Sequence, residues 1–194
     1  MKSFRQIIDL LQMGETEGIA KRYMVMNSFD GALTALGIII GSLIAGVHEP
    51  RTLILAGLGA SIAMGVSGGF GAYLTESAVK KEELADMGSA MLEKIENTVL
   101  DQAATISSYF VAAVDGLSPF LAASVSFLPF FGAYLLGWAI EFAYIASILL
   151  TSISLFVLGA YLGKISKENM VMNGVRMVIA GVITAILVMI LEFL

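Results

Sequence analysis

The chain has 194 residues, 58% of them hydrophobic and only 14% charged, with a mean hydropathy of +0.88, a balance that excludes an ordinary soluble domain. It has no cysteine, which excludes disulfides and thiolate metal sites, and its one histidine, His48, leaves hydrolytic or redox catalysis little to work with, so no enzyme is expected. The formal charge of −5 comes from acids concentrated in one connecting segment, and nucleic acid is not an expected partner.

Long apolar runs dominate, each near or above the roughly 20 residues that cross a bilayer. The expected fold is therefore an all-α integral membrane protein with five transmembrane helices, at about 23–47, 52–75, 103–127, 133–162 and 171–193. Residues 1–22 form an N-terminal segment in which Phe4, Ile7, Ile8 and Leu11 share a helical face. This is either an interfacial helix on the cytoplasmic leaflet or an amphipathic helix packed on the bundle.

The first run is too long for a signal-peptide core and is expected to stay in the mature protein. It carries Asp30, and a charge at that depth costs several kcal/mol unless a partner or water-filled cavity offsets it. Asn27, Asp30, Thr34, Gly37 and Gly41 recur at helical spacing, a polar and small-residue seam suited to lining a cation path or to close helix packing. The alternative for Asp30 is a lone carboxyl hydrogen-bonded to backbone between helices.

In the second run, Ala56, Ala60, Met64, Gly68 and Ala72 fall every fourth position and end at Glu76, beside Gly57, Ser61, Gly65 and Gly69. Small faces of this kind let helices approach closely in lipid. Met64 is the bulky exception. Its thioether either fills a gap, the usual role of methionine, or serves as a soft ligand suited to late first-row metals.

Residues 76–102 read as a cytoplasmic helical linker that extends the second helix, with no proline and a single glycine between Glu76 and Leu100. Glu82, Asp86, Glu93 and Glu96 lie within an arc of about 80° at 100° per residue. Such a stripe of like charge either faces bulk water or collects cations, and carboxylates bind Mn²⁺ and Fe²⁺ readily. Residues 103–194 hold the last three spans, with the break between the third and fourth expected around Pro129-Phe-Phe-Gly132. Glu141, near Trp138 and Tyr144, reads as a surface acid at the outer interface.

Orientation follows from the basic residues. With the N-terminus cytoplasmic, that side carries Lys2, Arg5, Lys21, Arg22, Lys80, Lys81, Lys94, Lys164, Lys167 and Arg176, against Arg51 alone on the other. A weak internal repeat also shows: Asp30-Gly31 is followed one hairpin later by Gly71-Ala-Tyr-Leu74, and Asp115-Gly116 by Gly159-Ala-Tyr-Leu162. Asp115 is thus a second intramembrane acid, a candidate path residue or relay, as is Asn27.

Four segments together resemble the vacuolar iron transporter family of Fe²⁺/Mn²⁺ exporters, which includes the yeast vacuolar Ca²⁺-cross-complementing protein. They are Asp30-Gly-Ala-Leu-Thr-Ala-Leu-Gly37, Ala60-Ser-Ile-Ala-Met64-Gly leading to Gly71-Ala-Tyr-Leu-Thr-Glu76, Ser126-Phe-Leu-Pro-Phe130, and Val175-Arg-Met-Val-Ile-Ala-Gly181. The resemblance covers nearly the whole chain in the same helix order. It implies that Asp30 and Met64 face an ion path between two subunits. It also implies that Glu76, Glu82, Glu83, Asp86, Glu93 and Glu96 correspond to the cytoplasmic acids that gather metal. The chain departs from the plant and yeast members in having Gly68-Gly69 where those carry a glutamate, and in its shorter linker.

The function so implied is export of Fe²⁺ or Mn²⁺ from the cytoplasm by proton antiport, in a homodimer, with no tightly bound cofactor beyond the transported ion. The membrane is the plasma membrane if the source is prokaryotic. The alternative is a passive cation channel or a membrane scaffold without metal chemistry, whose Asp-Gly pairs would be hinges and whose small-residue seams would be packing alone.

Overall fold

A computed structural model describes residues 16–91 and 98–193, apart from the side chain of Met91. Among the described residues five helices follow one another: α1 Thr16–Ile44, α2 Pro50–Met91, α3 Val99–Leu136, α4 Ile140–Ile165 and α5 Met170–Ile190, the last closed by a single 3₁₀ turn, Leu191–Phe193. Each of the five is long and apolar enough to cross a membrane, and there is no strand among the described residues. Helices are the natural solution in hydrocarbon, because every backbone N–H and C=O finds a partner within its own segment.

The ends of these helices have local causes. Gly46 adopts φ +67 after α1, with the Val47 N–H donating to the Ser42 carbonyl at 3.0 Å, so the last turn closes on a left-handed glycine. Proline at the first position of α2 forfeits only an N–H that had no helical partner. Asn169 caps α5, its side chain accepting from the Met172 N–H at 3.0 Å.

The break between the third and fourth spans is not at Pro129–Gly132. α3 runs unbroken through both Pro119 and Pro129 and ends at Leu136, where Gly137 takes φ +71. A proline removes one hydrogen bond, which a packed membrane helix tolerates, whereas the left-handed glycine redirects the chain. Gly132 plays a different part. A Cβ there would lie 2.5 Å from the Trp138 ring, so its bareness receives the indole.

Two helices exceed what a bilayer needs. At 1.5 Å per residue, the 42 residues of α2 span about 63 Å and the 38 of α3 about 57 Å, roughly twice the hydrocarbon thickness. The expected continuation of the second helix beyond Glu76 is therefore present as far as Met91. The amphipathic segment ahead of Thr16, with Phe4, Ile7, Ile8 and Leu11, lies outside the described residues, as do Glu93, Lys94 and Glu96.

The chain divides into two units, the first being Met1–Met24 with Gly65–Leu117 and the second Val25–Met64 with Ser118–Leu194. In the first, Ala20, Ala72 and Val111 are buried, with Ile19 and Tyr23 packed against them. The Thr16 and Ser107 hydroxyls meet at 2.7 Å, tying the start of α1 to α3. The core of the second unit sets Phe127, Phe130 and Tyr144 among smaller aliphatic side chains. Phe130 meets Tyr144 edge-on with ring centroids 5.1 Å apart, and the Tyr144 hydroxyl donates to the Val47 carbonyl at 2.7 Å. Phe127 fills the space left by Gly57, where a Cβ would come within 2.3 Å of its ring. Close fit of this sort, rather than exclusion of water, holds helices together in lipid.

Candidate functional site

Asp30 is the central residue of α1. Its neighbour Gly31 is buried against α3, where a Cβ would fall 2.4 Å from the Pro119 carbonyl oxygen, so only glycine fits. One residue corresponds to a 100° rotation, so pinning Gly31 to α3 turns Asp30 away from that contact. Asp30 is exposed in the single chain, and so is Thr34 one turn on. Gly37 continues the same face with nothing within 4 Å of its Cβ position, and Gly41 meets only a Val188 methyl at 3.7 Å. Asn27, one turn before, is half-buried. In the single chain, Asp30, Thr34 and Gly37 thus share an open face of α1.

Met64 is half-buried and packs against the apolar cluster of the second unit that contains Ile39, Leu53 and Phe127. Within one chain it does what methionine ordinarily does and fills a gap. One turn earlier, the fully buried Ser61 hydroxyl donates to the Gly57 carbonyl at 2.6 Å.

The first unit brings a different pair of acids together around one phenol. Glu76 on α2 and Asp115 on α3 are only 8% and 4% exposed. The Tyr23 hydroxyl, from the start of α1, lies beside Glu76 and within electrostatic reach of Asp115. Gly68 makes room for Asp115: a Cβ there would stand 3.1 Å from its Oδ2. Gly116 sits equally close to α2, its Cβ position 2.7 Å from the Gly65 carbonyl and 3.2 Å from the Gly69 Cα. The Gly65/Gly69 seam is therefore used inside the chain, against α3. The sequence pattern does not single out Tyr23. Its signal is indirect: a carboxylate buried as deeply as Glu76 needs a donor, and tyrosine is an amphipathic one.

The acids on the continuation of α2 behave otherwise. Glu82, Glu83 and Asp86 are all exposed, and Glu83 pairs with Lys80 at 2.8 Å across one helical turn. Among the described residues, no three His, Cys, Asp or Glu side chains gather closely enough to hold a metal ion. At the start of α1, ahead of the apolar run, Glu17 pairs with Lys21, which holds the carboxyl below its usual range by a hydrogen bond and by its charge. Glu141 is exposed, as expected of a surface acid.

Five membrane-crossing helices, with carboxylates at the centre of α1 and inside the α2–α3 contact, define a multi-pass integral membrane protein. Comparison with known proteins identifies which. The VIT family model matches residues 80–191. An uncharacterized protein of Methanocaldococcus jannaschii is 32% identical over 194 residues, covering 98% of this chain and 96% of the relative. The chain belongs to the VIT family, whose members are membrane metal-ion transporters.

Proposed function

We propose that this protein exports Fe²⁺ or Mn²⁺ from the cytoplasm in exchange for protons, as a homodimer in which α1 of each copy lines a shared path. The observation that carries this reading is Asp30: a carboxylate at the middle of a membrane-crossing helix, exposed on the single chain, on the same face as Gly37, whose Cβ position has nothing within 4 Å. An ionised carboxylate facing lipid costs about 2.5–3.5 kcal/mol or more, so such a face calls for a polar enclosure. A second copy related by a two-fold axis supplies one and doubles the ligand set, with Asp30 and Met64 from both chains.

Proton exchange follows from the same chemistry. A carboxylate in a low-dielectric path holds a proton when no cation is near and releases it to an arriving metal ion. The exposed acids on the continuation of α2, together with Glu93 and Glu96 beyond it in sequence, serve as the capture surface on the cytoplasmic side, a reading supported by ten of the eleven basic residues falling on that side.

The test is Mn²⁺ and Fe²⁺ flux into proteoliposomes with and without a pH gradient, for the wild-type protein and for Asp30→Asn. Uptake that rises with the gradient and disappears in the variant supports antiport through Asp30. Gradient-independent flux identifies a passive channel, and no flux together with equal affinity for Mn²⁺ and Mg²⁺ identifies a scaffold.

A further inference from the structure

We propose that the turn joining α4 to α5 binds the headgroup of an anionic phospholipid, through Lys164 and Lys167. The inference is independent of which metal the protein carries. It starts from the backbone: Lys167 has φ +58, the left-handed conformation that disfavours any residue with a Cβ. The turn is one that normally places glycine there. The Ser166 N–H donates to the Leu162 carbonyl at 2.9 Å and the Glu168 N–H to the Gly163 carbonyl at 2.9 Å, closing α4 around residue 167. A lysine held in a glycine position directs attention to what its side chain does.

The charges around it are arranged unevenly. Glu168 is the one carboxylate in the turn, and Asn173 Nδ2 donates to it at 3.0 Å, with Arg176 3.8 Å away. Arg176 also donates to Asn173 Oδ1 at 3.2 Å. Glu168 is thus drawn to the α5 side. Lys164 and Lys167 are both exposed, and neither makes an ion pair among the described residues. The turn therefore presents an uncompensated positive charge.

What decides between a soluble anion and a lipid is the neighbouring surface. The first turns of α5 expose Met170, Val171, Met172 and Val175 directly after the basic turn. These side chains belong to a membrane-crossing helix, so acyl chains cover them and bring lipid phosphates alongside the basic turn. A phospholipid satisfies both halves, with the acyl boundary against the methionines and valines and the phosphate within reach of the lysines. Because α4 and α5 both cross the membrane, the turn between them lies at headgroup level.

The experiment is thermal unfolding of the full-length protein in neutral detergent, with added phosphatidylglycerol, phosphatidylcholine or glycerol 1-phosphate. Phosphatidylglycerol should raise the melting temperature by several degrees more than phosphatidylcholine, and glycerol 1-phosphate should not raise it. Lys167→Gly relieves the backbone and removes the charge together. It should raise the melting temperature in neutral detergent by about 2–4 °C while at least halving the phosphatidylglycerol-specific shift. Lys167→Gln, which keeps the strain, should lose the same part of the shift without the gain. Equal shifts from the two lipids, an unreduced shift in both variants, or a glycerol 1-phosphate shift matching that of the lipid would each overturn the proposal.

Discussion

The two Asp-Gly pairs are written alike and placed alike, each within a membrane helix, yet they end in opposite environments. In both, the glycine is the contact point. Gly31 touches the backbone at Pro119, and Gly116 touches that at Gly65 and Gly69. The aspartates diverge. Asp30 is exposed on an open face, while Asp115 is buried beneath Gly68 in the region that holds Glu76 and Tyr23. What differs is whether the facing helix leaves room: Gly68 leaves it for Asp115, and no side chain or backbone lies near Asp30's companion Gly37. The dipeptide therefore encodes a close helix approach, and the fate of the carboxylate belongs to the surroundings. The second half of the repeat diverges further. Gly71 has open space around it, whereas Gly159 lies against the Asn173 carbonyl, its Cβ position 2.4 Å away.

The largest expected effect is on transport. Asp30→Asn keeps the size and hydrogen-bonding capacity of the side chain and removes the charge that a cation needs in low dielectric, so metal flux should fall to background in a protein that still inserts. Asp115→Asn, in its buried site, should leave measurable flux. If the two variants lose flux equally, the contrast between an exposed path residue and a buried acid is broken.

Next come the glycines that make the contacts. Gly31→Ala and Gly116→Ala each force a methyl group against backbone that cannot yield, and each should destabilise the protein by about 1–3 kcal/mol. Gly71→Ala meets nothing and should be neutral or stabilising by up to about 1 kcal/mol through helix propensity. Thermal unfolding of the three variants in one detergent measures the ranking, and a Gly71→Ala loss as large as the other two would break it.

Replacing Gly37 and Gly41 by leucine tests the open face itself. Neither substitution meets backbone within the chain, so the monomer should fold as before, while dimers seen by crosslinking or light scattering should be lost together with transport. A variant that remains dimeric and active would move the shared path elsewhere.

The smallest effect is expected from the exposed acids. Neutralising Glu82 and Asp86 together with Glu93 and Glu96 should weaken Mn²⁺ binding by calorimetry and leave the melting temperature nearly unchanged, since Glu82 and Asp86 are exposed and exposed charges contribute little to packing. Unchanged affinity would return this stripe to a solvated helix face.

Much of the architecture was legible without coordinates. Length and hydropathy alone define five spans, because the bilayer imposes a minimum apolar run and leaves the helix as the means of satisfying its backbone. The central place of Asp30, the continuation of α2 past Glu76 and the family itself were readable for the same reason: each depends on residues adjacent in the chain. The break at Gly137 was not, since Pro129 looks like the stronger interruption until packing shows that α3 absorbs it and that Gly132 serves Trp138. Nor was the division of labour between the glycine seams, with Gly65 and Gly69 used against α3 and Gly37 left open. Nor was the joining of Tyr23 to Glu76. Which face of a helix is covered depends on its rotation and on the helices beside it. Those are set by contacts between residues far apart in sequence, and only the tertiary structure decides them.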